Sequence, residues 1–192
     1  MARMISVGLP SAIQHAAQTR DDGHPSLEID ELFTIGIPSA AEVGYACSKG
    51  WLDVTQVTAI LAAKLVAGVT LSPAEQRLNA GQTSVAQFAL EVAGEKKVPE
   101  SSLKDYWLYV FMTWGWRVRR QVTKASELLE AIWIALDRPY QLADFVWMGR
   151  RWGPKVGFMK SRKEVQLDHW KAYLDSEAEY FRDRAMFQRA VD

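Results

Sequence analysis

The second half of the chain contains an eleven-residue apolar run, Tyr106-Trp107-Leu108-Tyr109-Val110-Phe111-Met112-Thr113-Trp114-Gly115-Trp116. Large side chains recur along it at helical spacing, and others cover its remaining sides. A helix that is apolar almost all round is central to a fold. Ser102 precedes the run as a suitable N-cap residue, so the helix is expected to extend from there to about Val122.

Residues typical of helix starts and helix ends also occur on both sides of this segment. Asp53 is a good N-cap for a helix that Gly68 ends, and Ser72-Pro73-Ala74-Glu75 has the spacing of a capping box. Gly81 and Gly94 are predicted to end two further short helices, and Asp137 to cap a helix from Pro139 to about Met148. Apolar residues repeat with a helical period from Ser126 to Leu136 and from Glu164 to about Ala190. No pair of alternating apolar runs indicates a β-hairpin. We therefore predict a compact all-α fold of about seven to ten helices, arranged as antiparallel pairs.

The length of 192 residues suits one domain. We predict a single helical domain over 1–192, with an N-terminal arm or helices over 1–35. A short-helix half is expected over 36–94 and a long-helix half over 102–192. The core of the long-helix half is predicted to contain four tryptophans, Trp107, Trp114, Trp133 and Trp170.

Composition excludes several classes of protein. Hydrophobic residues make up 48% and charged residues 24%, which is a globular composition rather than a disordered one. The 23 basic and 23 acidic side chains cancel, which argues against a dedicated non-specific nucleic-acid binder. The apolar run is shorter than the ~20 residues that span a bilayer. A lone cysteine allows no internal disulfide, and together these features predict a cytoplasmic protein.

Residues that could carry catalysis or bind metal are scattered. His15, His24 and His169 have no metal-ligand spacing, and Cys47 has no nearby partner, so it is interpreted as a small buried hydrophobe. The pair Glu127 and Glu130 is typical of a solvated helix face. We therefore predict a protein that is not an enzyme, with no catalytic residues, no metal and no cofactor.

The most unusual segment runs from Gly149 to Lys163, where six basic residues occur without an acid. Unpaired charge is costly to bury, so this loop is expected to be exposed. Arginine and aromatic side chains together are typical of protein interfaces. Two alternatives stay open: contact with RNA phosphates while Trp152 stacks on a base, or a solvated connector. The predicted partner-binding residues are Trp147, Arg150, Arg151, Trp152, Lys155, Phe158 and Lys160.

Three pieces of the chain resemble a bacterial family of uncharacterised all-helical domains, over about residues 40–180. Trp107-Leu108-Tyr109 with Trp114 is similar to its Trp-Leu-Tyr helix. The stretch Leu128-Leu129-Glu130-Ala131-Ile132-Trp133, followed by Pro139 and Phe145-Val146, is similar to its helix and proline turn. Trp170-Lys171-Ala172-Tyr173-Leu174 resembles its terminal helix, and Lys49-Gly50-Trp51-Leu52 resembles its early turn more loosely.

The resemblance implies a function as well as a fold. Domains of this kind occur among immunity proteins, which are encoded beside a toxin and neutralise it by direct binding. The sequence departs from the family at Ala135, where an acid is expected, and at Met148-Gly149-Arg150. The leading hypothesis is an immunity protein for a cognate bacterial toxin. The alternative is an RNA- or nucleotide-binding regulator that uses the basic-aromatic loop 149–163.

Overall fold

A computed structural model describes residues 6–19, 25–95, 98–140, 143 and 162–191. Nine helices of the described chain confirm the all-α prediction. The first five are α1 Ser11–Ala16, α2 Ile29–Ile35, α3 Ala40–Ser48, α4 Val54–Val66 and α5 Pro73–Asn79. The others are α6 Val85–Glu95, α7 Glu100–Val118, α8 Ala125–Ala135 and α9 Arg162–Val191.

A small two-stranded sheet accompanies the helices and was not predicted. Strand β1 Ser6–Val7 pairs antiparallel with β2 Leu27–Glu28, so that Val7 lies opposite Leu27. Both of these apolar side chains are buried. Two-residue strands carry too little alternation to be recognised from sequence, because their stability comes from the pairing and not from local propensity.

The chain divides into two compact units. Among the described residues, unit 1 comprises 6–9, 26–95, 98–107 and 181–191, and unit 2 comprises 10–19, 25, 108–140, 143 and 162–180. Each unit therefore combines segments that are distant in sequence, and each has its own buried residues.

An aromatic cluster forms part of the core of unit 1. The Trp107 ring meets the Trp51 and Tyr106 rings edge-on, with centroids 5.8 and 5.4 Å away. The Trp107 indole N–H donates to the Glu42 carbonyl at 2.9 Å, and the Tyr106 hydroxyl donates to the Gly36 carbonyl at 2.8 Å. Trp107 is thus a core residue, as predicted. Trp51 lies between α3 and α4, and the same cluster covers it.

The core of unit 2 is built around Trp170, whose indole N–H donates to the Met112 carbonyl at 3.1 Å. A Cβ on Gly115 would lie only 3.1 Å from atoms of Ile132 and Trp170, so α7 passes these side chains at close range. The predicted burial of Trp114 and Trp170 is confirmed. Trp133 is only half-buried, and its indole N–H donates to the Pro139 carbonyl at 3.2 Å.

Three predicted helix ends are wrong. α7 begins at Glu100, so Ser102 lies inside the helix, and Gly94 lies inside α6 instead of ending it. Asp137, predicted as an N-cap, has φ 59° and ends α8 together with Arg138, whose φ is 60°. The Arg138 N–H donates to the Trp133 carbonyl at 2.7 Å. Such a left-handed helix end usually carries glycine, so the sequence did not signal it.

Candidate functional site

The predicted partner-binding residues, Trp147, Arg150, Arg151, Trp152, Lys155, Phe158 and Lys160, lie outside the described residues. Besides a basic and aromatic group in unit 2, the described chain offers two surfaces in unit 1. One is the exposed side of α4, and the other is a cleft between α3 and α6.

The inner side of α4 holds a buried charge. Val57, Ile60 and Leu61 are buried at the helical spacing of one face, and Lys64 occupies the next position of the same face. The Lys64 Nζ lies 2.5 Å from Oε1 of Glu75, and each side chain is only 3% exposed. The other Glu75 oxygen accepts the Ser72 N–H at 2.9 Å. This buried ion pair connects α4 to α5.

Local signals fix both ends of α4. The Asp53 side chain accepts the Gln56 N–H at 2.9 Å, and Oε1 of Gln56 accepts the Asp53 N–H at 2.7 Å, which completes a capping box. Gly68 follows the helix with φ 74°, as predicted. The Val69 N–H then donates to the Lys64 carbonyl at 2.9 Å. α4 therefore begins and ends at defined positions, and the hydrogen bonds at its two ends hold its exposed side in place.

The exposed side of α4 is uncharged. We call it the α4 outer face, and it consists of Val54, Thr55, Thr58, Ala62, Leu65 and Val66. Val54 is 62% exposed, Leu65 52% and Val66 90%. Within the fully described stretch 54–70, the single charged residue is the buried Lys64. By helical spacing, Val54 and Leu65 share a face with Val57, Ile60 and Leu61. Both are nevertheless exposed, because only the part of that face around Lys64 is covered.

The second surface is a cleft of about 380 Å³ between α3 and α6. Its walls carry mainly small and aliphatic side chains, and Lys49 and Glu100 also line it. The Lys49 Nζ lies 3.9 Å from Oε1 of Glu100 and 5.3 Å from the centroid of the Tyr45 ring. The remaining lining residues are Ala41, Gly44, Ser48, Ala89, Val92, Ala93, Val98 and Leu103.

Three features of the described chain bear on thiol chemistry, metal binding and membrane insertion. Burial raises the pKa of the Cys47 thiol to about 12, which keeps it protonated and unreactive near neutral pH. The described residues contain no group of three or more metal-ligating side chains. Among the described helices, none is both long and apolar enough to cross a membrane.

A basic and aromatic group lies at the end of α7 in unit 2. The Arg119 guanidinium stacks over the Trp116 ring at 3.6 Å from its centroid and also donates to the Trp116 carbonyl. Burial lowers the pKa of Arg119, and the neighbouring charge of Arg120 lowers it further. Arg117 adds a third guanidinium within four residues. Such a group is suited to contact with phosphates or with flat rings.

Sequence reasoning missed the α4 outer face, although a signal for it was present. α4 contains a single charged residue in thirteen, Lys64. Eleven residues after this lysine, Glu75 completes a capping box. A glutamate fixed at that position is a candidate partner for a buried lysine. With Lys64 assigned inward, the exposed side of the helix has no charge left.

No family model matches the chain, and neither a curated protein nor a solved structure matches it. The resemblance to uncharacterised all-helical bacterial domains therefore stays a prediction.

Proposed function

We propose that this chain is a non-catalytic bacterial binding protein, an immunity protein that neutralises a cognate toxin in the cytoplasm by direct protein–protein binding. The observation that supports it is the α4 outer face, which exposes Val54, Leu65 and Val66 without an accompanying charge. Single exposed apolar side chains are ordinary, but a contiguous uncharged surface is typical of a protein-binding site.

The arrangement suits binding in two further ways. The three large side chains lie on one side of a helix, about three turns from first to last, so one partner surface can cover them together. Both helix ends are fixed by local hydrogen bonds, so little conformational entropy is lost on association. The partner that fits is a protein with an apolar, weakly charged patch, because burying an unpaired charge against this face would be costly.

The gene beside this one provides the test. If it encodes a large secreted protein with a variable C-terminal domain, that domain is co-produced with the chain in a sensitive host. We expect wild type to restore growth and to form a stable complex with the domain. The L65E/V66E variant should lose protection, because two carboxylates in an apolar contact weaken binding by about thirtyfold or more.

The matched control is L90E, which adds a carboxylate at another exposed apolar position of unit 1, on α6. We expect L90E to protect as well as wild type does. Equal protection by L65E/V66E would remove the α4 outer face from the interface. The absence of a toxin-like neighbour, or of any complex with it, would contradict the immunity proposal.

A second candidate function is RNA or nucleotide binding by a regulator, and the Trp116–Arg119 stack with Arg117 and Arg120 favours it. This group belongs to the described chain, whereas the basic loop 149–163 does not. Affinity for single-stranded RNA should then fall steeply with salt, with a logarithmic slope near −0.7 per phosphate contacted. Recovery of RNA alone with the purified chain, and its loss in R119E/R120E, would favour this function over immunity.

A further inference from the structure

We propose that a nucleotide binds at the end of α7 in unit 2, with its base stacked on the Arg119 guanidinium and its phosphate beside Arg120. This site rests on the second candidate function, nucleotide binding, and is separate from the α4 outer face. Two observations support it: the Arg119 guanidinium lies over the Trp116 ring, and that ring contacts the buried Trp170.

Three side chains form layers from the core of unit 2 to its surface. Trp170 is buried, and its indole N–H donates to the Met112 carbonyl at 3.1 Å. The centroid of the Trp116 ring lies 5.6 Å from that of the Trp170 ring and 3.6 Å from the guanidinium carbon of Arg119. Trp116 and Arg119 are both half-buried. The outer layer of this stack is therefore the guanidinium, and the ring face beneath it is already covered.

The Arg119 guanidinium is held at two points. It lies over the Trp116 ring, and its Nη1 donates to the Trp116 carbonyl. The hydrogen bond satisfies a carbonyl near the end of α7, but it does not require the guanidinium to cover the ring. An arginine loses conformational freedom when it binds a ligand, and Arg119 has already lost part of it. The flat, charged group is thus preorganised to receive a base on its outer plane.

The charges beside the stack determine which flat ligand gains most. The chain contains no acidic residue from Tyr106 to Ser126. Burial lowers the pKa of Arg119, and the nearby charge of the exposed Arg120 lowers it further. A negative group on the ligand offsets this repulsion, and a phosphate matches the donor geometry of a guanidinium. A flat ring linked to a phosphate is a nucleotide, either free or within single-stranded RNA.

A riboadenylate hexamer and an abasic hexamer are the probes, because they share a sugar–phosphate backbone and differ in their bases. Each is titrated into the full chain and followed by fluorescence anisotropy and amide NMR shifts. We expect the riboadenylate to bind about fivefold or more tightly, since a stacked base adds that much affinity. The shifts should centre on Trp116, Arg119 and Arg120.

The two hexamers also separate this assignment from the function on which it rests. Equal affinities, falling together with salt, would mean that the chain binds the backbone alone. The second candidate function would then stand, and the stacking assignment would be wrong. If neither hexamer binds, both are wrong.

Two variants distinguish stacking from charge. R119K keeps the charge and removes the plane, so the riboadenylate should bind about fivefold or more weakly while the abasic hexamer binds as before. R120Q removes a charge outside the stack and should weaken both hexamers by the same factor, about two- to fivefold. The matched control is R138K, because Arg138 also lies near a tryptophan ring of unit 2, at 5.5 Å from the Trp133 centroid. This control should leave both affinities unchanged.

Urea denaturation shows whether each variant is folded. If folded R119K still prefers the riboadenylate as wild type does, or if R138K loses that preference equally, the base does not stack on Arg119. NOE contacts between adenine protons and the Arg119 side chain test the same contact in wild type, and their absence from the saturated complex would overturn the proposal.

AMP identifies the source of the ligand. Saturable shifts at Trp116 and Arg119 with AMP, and none with ribose 5-phosphate, would show that one free nucleotide is sufficient. Binding of the riboadenylate hexamer without binding of AMP would assign the site to single-stranded RNA. Both results agree with the stacked base, whereas equal shifts with AMP and ribose 5-phosphate would contradict it.

Discussion

Two helices of this protein distribute their charges in opposite ways. α4 has six exposed residues, none of them charged, and it keeps its one charge, Lys64, inside. α9 has nine exposed residues between 164 and 181, and five of them are acidic or basic. Its buried positions there are Trp170 and Phe181. Over 164–181, α9 follows the ordinary rule for a surface helix, whereas α4 departs from it in the placement of its charge.

The difference identifies which surface is suited to a partner. Charged side chains keep a helix surface hydrated and resist desolvation when another protein approaches. The α4 outer face has no such resistance, and the charge of α4 contributes instead to the contact with α5 through Glu75. Between 164 and 181, the surface of α9 is an ordinary solvated one, whereas that of α4 favours the protein contact that we propose.

The largest change in stability is expected on the inner side of α9. Trp170→Ala removes a ring that fits against Gly115 and Ile132 and that donates to the Met112 carbonyl. It should lower the free energy of unfolding by about 3–5 kcal/mol, measured by urea denaturation. Trp170→Phe keeps most of the ring and should cost clearly less. A loss below about 1 kcal/mol for the alanine variant would mean that α9 does not pack through this face.

The next effect tests the inner side of α4. Lys64→Met leaves the buried Glu75 carboxylate without its counter-charge, so unfolding should become easier by about 3 kcal/mol. The double variant K64M/E75Q removes both charges and keeps an acceptor for the Ser72 N–H. We expect it to recover most of the loss. If K64M alone is as stable as wild type, Lys64 is not buried and the contrast with α9 disappears.

A smaller effect is expected where α4 ends. Gly68→Ala forces a side chain into φ 74° and should cost about 1 kcal/mol. The matched control is Gly94→Ala inside α6, where a Cβ would meet nothing within 4 Å. Alanine is the better helix former, so this control should be neutral or stabilising by up to about 1 kcal/mol. Equal effects at the two glycines would show that α4 has no fixed end.

The smallest effect belongs to the outer side of α9. Lys171 pairs with Asp175 one turn away at 2.5 Å, and both side chains are more than 60% exposed. Such surface pairs contribute about 0.3–0.5 kcal/mol, so Lys171→Met should change the free energy of unfolding by no more than that. The same substitution at position 64 is the direct comparison. A loss at Lys171 as large as the loss at Lys64 would contradict the distinction between the two helices.

The parts of the fold that were predictable from sequence are those with local signals. The caps at Asp53 and Ser72 and the glycine turns at Gly68 and Gly81 are set by neighbouring residues, and the structure confirms them. The pairing of β1 with β2 depends on segments about twenty residues apart, and no local pattern contains it.

The α4 outer face was missed for a related reason. A lysine is expected to face water unless a buried partner is known, and its partner lies on the following helix. From spacing alone, the apolar stripe of α4 includes Val54 and Leu65 at its edge, whereas both are exposed in the structure. The face could be recognised only after the contact between α4 and α5 was known.

Calorimetric titration of the purified toxin domain tests most directly whether the α4 outer face binds a protein partner. Wild type, L65E/V66E and L90E are compared at one salt concentration. Labelling of Cys47, whose pKa burial raises to about 12, shows whether unit 1 stays folded in each variant. We predict that L90E binds like wild type and that L65E/V66E, with Cys47 still protected, binds at least about thirtyfold more weakly. Equal affinities for all three proteins would contradict the account.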